Sequence, residues 1–417
     1  MSQSNIDKPS MQNPAGTLYA GIDLALEKNV VVVVSERAER LDHFIFPQDR
    51  DDYFLRRLEG LCQKYHAAKV VVAMEPTNYF WKLLARDLEE KKYSYRLVNA
   101  YTVKKHREGD QLDRSKDDRR DAGQIAELSR NGKTTQTQLQ KGAYEDLRQY
   151  ATLYHQLMQS IRREKTILWG LVRQVFPEMV RTFMDLEGET YQALLLTCPA
   201  AATIRQMSMD AFLAQVRAAY SGKRLCVSKL KRVYQLADRS VGVTEGIQAI
   251  QLAIQVHLTQ LQVFETQLEQ VTGAMTARLF CLPEALYLLS CPCLKPTSAA
   301  LFLAEVGDPQ RYQKAAQWVK LAGIQPVPNT SGRKQRSRPP MSHQGRPRLR
   351  TLLYFTCLRM IHYDTRFAQL YSYLQRRKNN PLTKMQALGV LMNKLLHIWW
   401  ALTQNQTFCN PSFGQSV

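Results

Sequence analysis

The stretch LYAGIDLALEKNVVVVVSE, from Leu18 to Glu36, contains two short apolar runs, and the first closes on the carboxylate of Asp23. Both runs have the length and composition of strands, and the second is almost entirely β-branched. A later run of the same kind, KVVVAMEP, ends on Glu75, with helical patterns before and after it. Three strands followed by strands that alternate with helices predict a mixed α/β sheet with helices on its faces.

The chain of 417 residues has 57 Lys and Arg against 37 Asp and Glu, a net charge of +20. This excess favours a polyanionic partner, and nucleic acid over membrane, because no apolar run approaches the ~20 residues of a spanning helix. The N-terminus lacks a signal-peptide pattern, and the eight cysteines lack a disulfide-like spacing. We therefore expect reduced cysteines and a cytoplasmic protein. Cys291 and Cys293 have no partner residues at zinc-site spacing.

Composition changes along the chain predict five segments. They are a flexible lead-in at 1–17, an α/β domain at 18–137, a helical region at 138–278, a mainly α C-terminal domain at 279–403 and a tail at 404–417. The helical region has few glycines, and its apolar residues recur at three-and-four spacing. Packing within a bundle explains that stripe, and a coiled coil that pairs subunits explains it as well.

Carboxylates gather at the start of the helix predicted in SKDDRRDAGQIAELSR, from Ser115 to Arg130. Acidic residues favour a helix N-terminus for dipole reasons alone. Asp121 shares a helical face with Asp118 and equally with Asp117, so spacing does not separate the two pairs. Two carboxylates on one face repel each other unless a cation lies between them, and Mg²⁺ prefers oxygen ligands of this kind.

Asp23 and Glu75 end predicted strands, and the crevice beyond strand C-termini is where α/β sheets bind ligands. Together with Asp118 and Asp121 they form a candidate site for two Mg²⁺ ions about 3.5–4 Å apart, which would clamp the attacking and leaving oxygens of a phosphodiester. Each carboxylate also has a structural explanation: a turn cap for Asp23, a surface loop for Glu75 and dipole caps for the helix aspartates.

Between Thr330 and Arg350 the chain is basic and contains no acidic residue. Gly, Pro and Ser are interspersed, so the stretch cannot bury a core and is predicted to be a loop that meets solvent or phosphates. The predicted nucleic-acid-binding residues are Arg333, Lys334, Arg336, Arg338, Arg346, Arg348 and Arg350.

The order GIDLALEKNVVVVV, AMEPTNYFW, KDDRRDAGQIAEL resembles the DEDD-type insertion-sequence transposases, which are bridge-RNA-guided recombinases related to Piv-like DNA invertases. The resemblance implies a RuvC/RNase H fold with Asp, Glu, Asp and Asp on these elements. Lys116, Asp118, Asp121 and Ala122 match the family string Lys-x-Asp-x-x-Asp-Ala, which favours Asp118 over Asp117.

The C-terminal stretch LAGIQPVPNTSGRKQRSRPPMSHQGRPRLRTLLY resembles the same family. The family's nucleophilic serine falls on Ser331, and Ser342 is a second serine in the motif. Two departures are Asn78, where the family usually has glycine, and the turn CPCLKPTSAA, which lacks the family's glycine.

The resemblance implies an enzyme that moves an insertion sequence by Mg²⁺-dependent DNA cleavage and strand exchange through a serine nucleophile. It implies donor and target DNA as partners and target choice by a structured noncoding RNA. It also implies a dimer or tetramer, with one subunit's acidic site meeting another's serine, and a bacterial, nucleoid-associated location.

Three other functions fit parts of the sequence. A RuvC-like junction resolvase or nuclease would use water in place of the serine, and a non-catalytic scaffold would bind RNA alone. An actin-like sugar kinase or ATPase also begins with a GIDL-like strand. The net charge of +20 and the lack of a second Gly-rich phosphate loop disfavour that last class.

Overall fold

The structure is a computed structural model that describes most of the chain. The described residues are 16–47, 51–76, 79–99, 102–103, 105, 117–183, 188–222, 224–292, 294–327, 330–331, 334–335 and 340–409. They belong to two compact units, Met1–Gln140 and Lys141–Val417.

The first unit is built on a mixed sheet with the strand order β3-β2-β1-β4-β5-β6. Its strands are β1 (Thr17–Asp23), β2 (Lys28–Val34), β3 (Arg40–Pro47), β4 (Lys69–Met74), β5 (Ser94–Leu97) and β6 (Thr135–Gln136). Strands β1, β2 and β3 form an antiparallel meander, β4 and β5 run parallel to β1, and β6 is antiparallel to β5. The predicted mixed sheet is confirmed, and it is consistent with a RuvC-like fold.

Helices cover both faces of this sheet, as the alternation of its apolar side chains requires. The helices are α1 (Asp51–Lys64), α2 (Phe80–Glu90) and α3 (Asp118–Arg130). Leu18, Ala20 and Ile22 of β1 share a core with buried residues of α1 and α2. On the opposite face, alternate valines of β2 pack with Ala122 and Ala126 of α3.

The second unit is almost entirely helical. Its helices are α4 (Ala143–Val175), α5 (Met179–Thr182), α6 (Glu189–Thr197), α7 (Ala201–Arg205), α8 (Met209–Ala218), α9 (Val227–Ala237), α10 (Ile247–Leu279), α11 (Glu284–Leu289), α12 (Pro296–Val306), α13 (Ala315–Ala322), α14 (Pro347–Tyr363), α15 (Thr365–Arg376) and α16 (Lys384–Asn405). A two-stranded hairpin, β7 (Thr330–Ser331) and β8 (Lys334–Gln335), lies between α13 and α14.

Helices α4 and α10 pack along each other and carry a different core at each end. Leu147 of α4 and Leu279 of α10 join the core formed by α11 to α16. Val172 of α4 and Ile254 of α10 join a second core, formed with α5 to α9. The predicted coiled coil and the predicted domain boundaries stay predictions. None of the helices in the described ranges has the length and hydropathy needed to cross a bilayer.

Candidate active site

Asp23 and Glu75 come at the ends of neighbouring parallel strands in the same register. Ile22 of β1 pairs with Met74 of β4, and each carboxylate follows one residue later. Neighbouring strands are about 4.8 Å apart, so the two backbones lie side by side at this edge of the sheet. The Val98 N–H continues the ladder there by donating to the Met74 carbonyl over 3.0 Å.

Strand alternation directs both carboxylates toward the face that α3 covers. Asp23 is two residues after Gly21, and Gly21 lies against α3. Glu75 is two residues after Ala73, which is buried in a cluster with Ile125 of α3. Because residues two apart in a strand share a face, Asp23 projects from the α3 side of the sheet, and Glu75 would do so if the alternation of β4 continues for one residue.

Gly21 lets the backbones of β1 and α3 approach each other closely. A Cβ at this position would overlap the carbonyl oxygen of Ala122 and the backbone nitrogen of Ala126. Backbone atoms cannot turn aside as a flexible side chain can, so a residue with a side chain here would push α3 away from the sheet.

The first turn of α3 lies toward the Asp23 end of β1. At the other end of α3, the Arg130 guanidinium donates to the Glu36 carbonyl oxygen over 3.3 Å. Glu36 in turn accepts a hydrogen bond of 2.9 Å from the N–H of Thr17, the first residue of β1. Helix α3 therefore runs antiparallel to β1, and its N-terminus points to the edge where β1 and β4 end.

Asp118 and Asp121 extend the stripe by which α3 packs on the sheet. Ala122 and Ile125 on this stripe are buried, and each aspartate lies one helical turn earlier. Asp118 is exposed and Asp121 is partly buried. The four predicted carboxylates thus start from backbone positions around one corner, formed by the ends of β1 and β4 and the first turn of α3.

Asp117 has a different position from Asp118. It is the N-cap of α3, with extended backbone, and its side chain accepts a hydrogen bond of 3.1 Å from the Arg119 N–H. Such a cap satisfies a backbone donor at the helix start. The dipole-and-cap explanation therefore applies to Asp117, whereas Asp118 is an exposed residue on the line that the packing stripe continues.

These four side chains suit Mg²⁺, because all of them are carboxylates and Mg²⁺ prefers oxygen ligands of this kind. In the described part of the chain, no three or more His, Cys, Asp or Glu side chains are grouped so as to hold a metal ion. Asp23, Glu75 and Asp121 each take part in a hydrogen bond or another electrostatic interaction. The backbone thus brings the positions together, while the side chains themselves are not gathered around one point.

Ser331 is the last residue of β7 and pairs with Lys334, the first residue of β8. Both lie at the turn end of the hairpin, and the structure describes their backbone only. The predicted loop is thus partly a hairpin, which positions the serine next to a lysine across the two strands.

Ser342 lies in a segment tied to the end of α13. Its N–H donates to the Gln325 carbonyl over 2.9 Å, and its hydroxyl accepts from the Gln344 N–H over 3.2 Å. The Arg346 N–H donates to the Leu321 carbonyl over 2.8 Å. The Ser342 hydroxyl thus already has a turn-forming role of the kind common for serine.

Two family sequence models match the chain. One, for the DEDD transposase domain of IS110, matches residues 20–177, and the other, for transposases of the IS116/IS110/IS902 family, matches residues 285–372. Together they span more than half of the chain. The chain belongs to the IS110 family of DEDD transposases. The first match contains the four carboxylates and the second contains Ser331. A search of curated proteins found no match.

Two of the basic residues predicted to bind nucleic acid have internal partners in the transposase. The Arg346 guanidinium donates to the Glu305 carbonyl and lies 3.6 Å from its carboxylate, and burial lowers the pKa of Arg346. Arg350 donates to the Ala322 carbonyl over 2.8 Å. Both arginines satisfy carbonyls at helix C-termini, which is a structural role in its own right.

Arg348 differs from these two because it is exposed, in the first turn of α14. The predicted loop ends earlier than expected, since Pro347 suits the first turn of a helix. Burial of His155, and then the charges of Arg348 and Arg162, lower the pKa of His155 to about 4. Arg348 is thus a solvent-exposed cation whose charge acts on the neutral side chain of His155.

The other predicted basic residues lie wholly or partly outside the described residues. Arg333, Arg336 and Arg338 lie outside the described residues, as do Lys116, Asn78 and Cys293, and Lys334 is described by its backbone alone. Their predicted roles stay predictions.

Sequence reasoning missed the positioning role of Gly21. The available signal was a glycine inside an otherwise apolar strand, two residues before a candidate carboxylate. Such glycines often mark a close approach of two backbones.

Proposed function

We propose that this transposase cuts and rejoins DNA with Ser331 as nucleophile and with Mg²⁺ held by Asp23, Glu75, Asp118 and Asp121. The observation that carries the proposal is the common corner formed by the ends of β1 and β4 and by the first turn of α3. It gathers the backbone positions of carboxylates that are distant in sequence, in a family defined by such residues.

Bound Mg²⁺ would supply positive charge to the oxygens around the reacting phosphorus. The Ser331 hydroxyl oxygen forms a bond to phosphorus and loses its proton to solvent or a basic group. The bond from phosphorus to a deoxyribose oxygen breaks, and that oxygen takes up a proton. A deoxyribose hydroxyl of another strand then attacks the phosphoserine and loses its proton, the bond from phosphorus to the serine oxygen breaks, that oxygen takes up a proton, and the strands are joined.

Positive charge near the serine assists this step. Lys334 is the register partner of Ser331 across the hairpin. A serine hydroxyl is a weak nucleophile, so cations that stabilise the developing charge on phosphate oxygens matter. The proposal requires both the serine and the carboxylates at one phosphodiester.

We further propose that a structured RNA selects the DNA target and that the enzyme acts as a dimer or tetramer in the bacterial cytoplasm. The net charge of +20 suits binding to RNA shape and backbone as well as to DNA. The long helices α4 and α10 offer a surface for pairing subunits, with Leu252, Val256 and Val263 exposed along α10.

The test is to trap a covalent protein–DNA adduct with the element's own DNA ends and RNA. We expect an adduct that requires Mg²⁺ and disappears in Ser331→Ala and in Asp118→Asn. Ser342→Ala is the matched control and should keep the adduct, because that hydroxyl serves a turn.

An adduct that persists in Ser331→Ala and is lost in Ser342→Ala would move the nucleophile to Ser342. Cleaved ends without any adduct or joined strands would favour the hydrolytic nuclease. RNA binding that is unchanged in Asp118→Asn, with no Mg²⁺-dependent chemistry in the wild type, would favour the scaffold.

A further inference from the structure

A cavity of about 550 Å³ lies in the segment between α4 and α10, residues 176–246, which we call the middle segment. Nearly all of this segment falls between the two family matches. Its helices share a core with one end of α4 and one end of α10, so it is a folded body and not a linker. The residues that line the cavity include Arg181, Thr182, Phe183, Glu189, Tyr191, Tyr220, Arg224, Cys226 and Lys229.

The charged side chains of the described lining are mainly cationic. Arg181, Arg224 and Lys229 all line the cavity and are exposed to solvent. The acidic residue of the described lining, Glu189, accepts a hydrogen bond of 3.2 Å from the Tyr220 hydroxyl. The Tyr220 hydroxyl also accepts from the Arg224 N–H over 3.0 Å, which fixes the backbone beside this arginine. Three cations against one engaged carboxylate favour an anionic ligand.

Two helix N-termini open onto the same cavity. Helix α6 begins at Glu189 and α9 begins at Val227, after its N-cap Cys226. Helix N-termini carry partial positive charge and free backbone N–H groups, and both attract phosphate. The Cys226 N–H is already bound to the Thr190 hydroxyl over 3.1 Å, which joins the starts of the two helices.

Two residues that line the cavity have a buried hydroxyl with no hydrogen-bond partner among the residues that the structure describes. They are Tyr191, a fully buried residue, and Thr182. Burial raises the pKa of Tyr191, so its hydroxyl stays protonated and can donate. Buried hydroxyls without a partner are costly, and a ligand oxygen in the cavity would satisfy them.

The aromatic floor of the cavity favours a phosphate over a base as the recognised group. Phe183 stacks on Tyr191 with ring centroids 4.7 Å apart, and the Lys229 ammonium lies 5.3 Å from the Phe183 centroid. Phe183 and Tyr191 are both buried, so neither ring offers a free face for a base to stack upon. The rings instead hold the cation and the hydroxyl in place.

We propose that the middle segment binds a backbone phosphate of a nucleic-acid strand in this cavity, with Arg224, Lys229 and Arg181 as cationic ligands and with Tyr191 and Thr182 donating hydrogen bonds. A strand is favoured over a free anion because the cations are exposed and the whole chain is strongly basic. The site is independent of the proposed serine and metal chemistry.

Cys226 provides a reporter inside the cavity. Its sulfur lies 3.6 Å from the Ser228 hydroxyl. This hydrogen bond, with the Lys229 N–H and the nearby cations, lowers the pKa of the thiol, which favours the thiolate that reacts with alkylating agents. A phosphate bound beside it would shield the sulfur and oppose its ionisation.

The experiment measures the rate of Cys226 alkylation in the full chain by peptide mass spectrometry. The probes are inorganic phosphate and a short single-stranded oligonucleotide, with sodium chloride at matched ionic strength. We expect both probes to protect Cys226, by about tenfold at ten times the dissociation constant. The exposed thiol of Cys281 should alkylate at an unchanged rate.

Matched variants separate the cavity from general charge attraction. Arg224→Gln and Lys229→Gln should each weaken protection about tenfold, through loss of a charge-assisted hydrogen bond. Arg217→Gln and Lys231→Gln remove the same charges from exposed positions on α8 and α9 outside the described lining, and both should keep protection. Tyr191→Phe, which keeps the ring, should weaken protection without unfolding the segment.

Three results would overturn the proposal. They are no protection by either probe, equal loss in the cavity and control variants, and protection by free phosphate without protection by the oligonucleotide. The last would assign the cavity to a small phosphate-bearing ligand. Protection that persists in Ser331→Ala and Asp118→Asn distinguishes this site from the proposed active site.

Discussion

Asp117 and Asp118 are adjacent in the chain, yet they serve different structural purposes. The Asp117 side chain caps α3, while Asp118 begins the stripe that packs on the sheet. From spacing alone either aspartate pairs equally well with Asp121, so the sequence could not separate them without the family resemblance. The difference arises at the helix boundary, where one residue bends out of the helix and the next joins it.

We expect Asp118→Asn to abolish strand cleavage with little change in stability, because the exposed carboxylate makes no cap. Asp117→Ala should instead lower the free energy of unfolding by about 1 kcal/mol. It should keep strand cleavage at temperatures where the variant remains folded. Thermal unfolding and a cleavage assay on both variants check this. Loss of cleavage in Asp117→Ala, with cleavage kept in Asp118→Asn, would reverse the assignment.

His155 gives the second unit a pH dependence of defined sign. Its pKa is about 4 in the folded state because of burial and the charges of Arg348 and Arg162, against about 6.5 in an unfolded chain. The unfolded state therefore binds a proton first as pH falls. Stability from this group is complete above pH 6.5 and is lost progressively down to pH 4.

We expect His155→Gln to flatten the fall of the unfolding midpoint between about pH 6.5 and 5, above the range where carboxylates titrate. Thermal scans across this window check it. His343→Gln is the control, since His343 is exposed. An unchanged pH profile in His155→Gln would show that another group carries the dependence.

At the scale of elements, the contact between β1 and α3 sets the geometry of the candidate site. The helix crosses the strand where Gly21 meets the backbone of Ala122 and Ala126. The first turn of α3, with its aspartates, is therefore positioned by a glycine that carries no chemistry of its own.

We expect Gly21→Ala to cost about 1–3 kcal/mol and to reduce cleavage even where the protein remains folded, since the added methyl group displaces α3. Gly60→Ala is the matched control. Gly60 lies in α1 with open space around its would-be Cβ, so this change should stabilise by up to about 1 kcal/mol. Full cleavage activity in a folded Gly21→Ala protein would show that the contact does not position the site.

The strands around the site were predictable because β1, β2 and β4 are apolar runs bounded by polar residues. The pairing of β1 with β4, which brings Asp23 beside Glu75, could not be predicted from these runs. The sequence allowed only the general expectation that ligands bind beyond the C-terminal ends of strands. The hairpin at Ser331 was predicted as a loop, because two-residue strands leave no periodic pattern. The buried role of Arg346 was hidden for a similar reason: a basic residue in a basic stretch looks exposed until its carbonyl partner is known.

At the scale of the whole molecule, a net charge of +20 makes binding to nucleic acid strongly dependent on salt. The basic residues do not all have the same role, however. Arg348 is exposed, while Arg346 lies against Glu305 within the fold. Neighbouring arginines should therefore respond differently to the same substitution.

We expect Arg348→Gln to lower the slope of log affinity against log salt by about 0.9, the loss of one phosphate contact, with stability unchanged. Arg346→Gln should instead destabilise the fold, because it leaves the partly buried carbonyl and carboxylate of Glu305 without this partner. Binding titrations at several salt concentrations, together with thermal unfolding, check both. A stable Arg346→Gln protein with the reduced slope would return Arg346 to the binding surface.

Helices α4 and α10 contain 33 residues each, so an unbent pair is about 50 Å long. One end is embedded in the core around α14 and the other in the middle segment. This length equals about one and a half turns of duplex. A polynucleotide bound both near α14 and at the middle segment would be protected from nuclease over both sites. Its footprint would be longer, by roughly one and a half turns of duplex, than the footprint of a protein that lacks the middle segment.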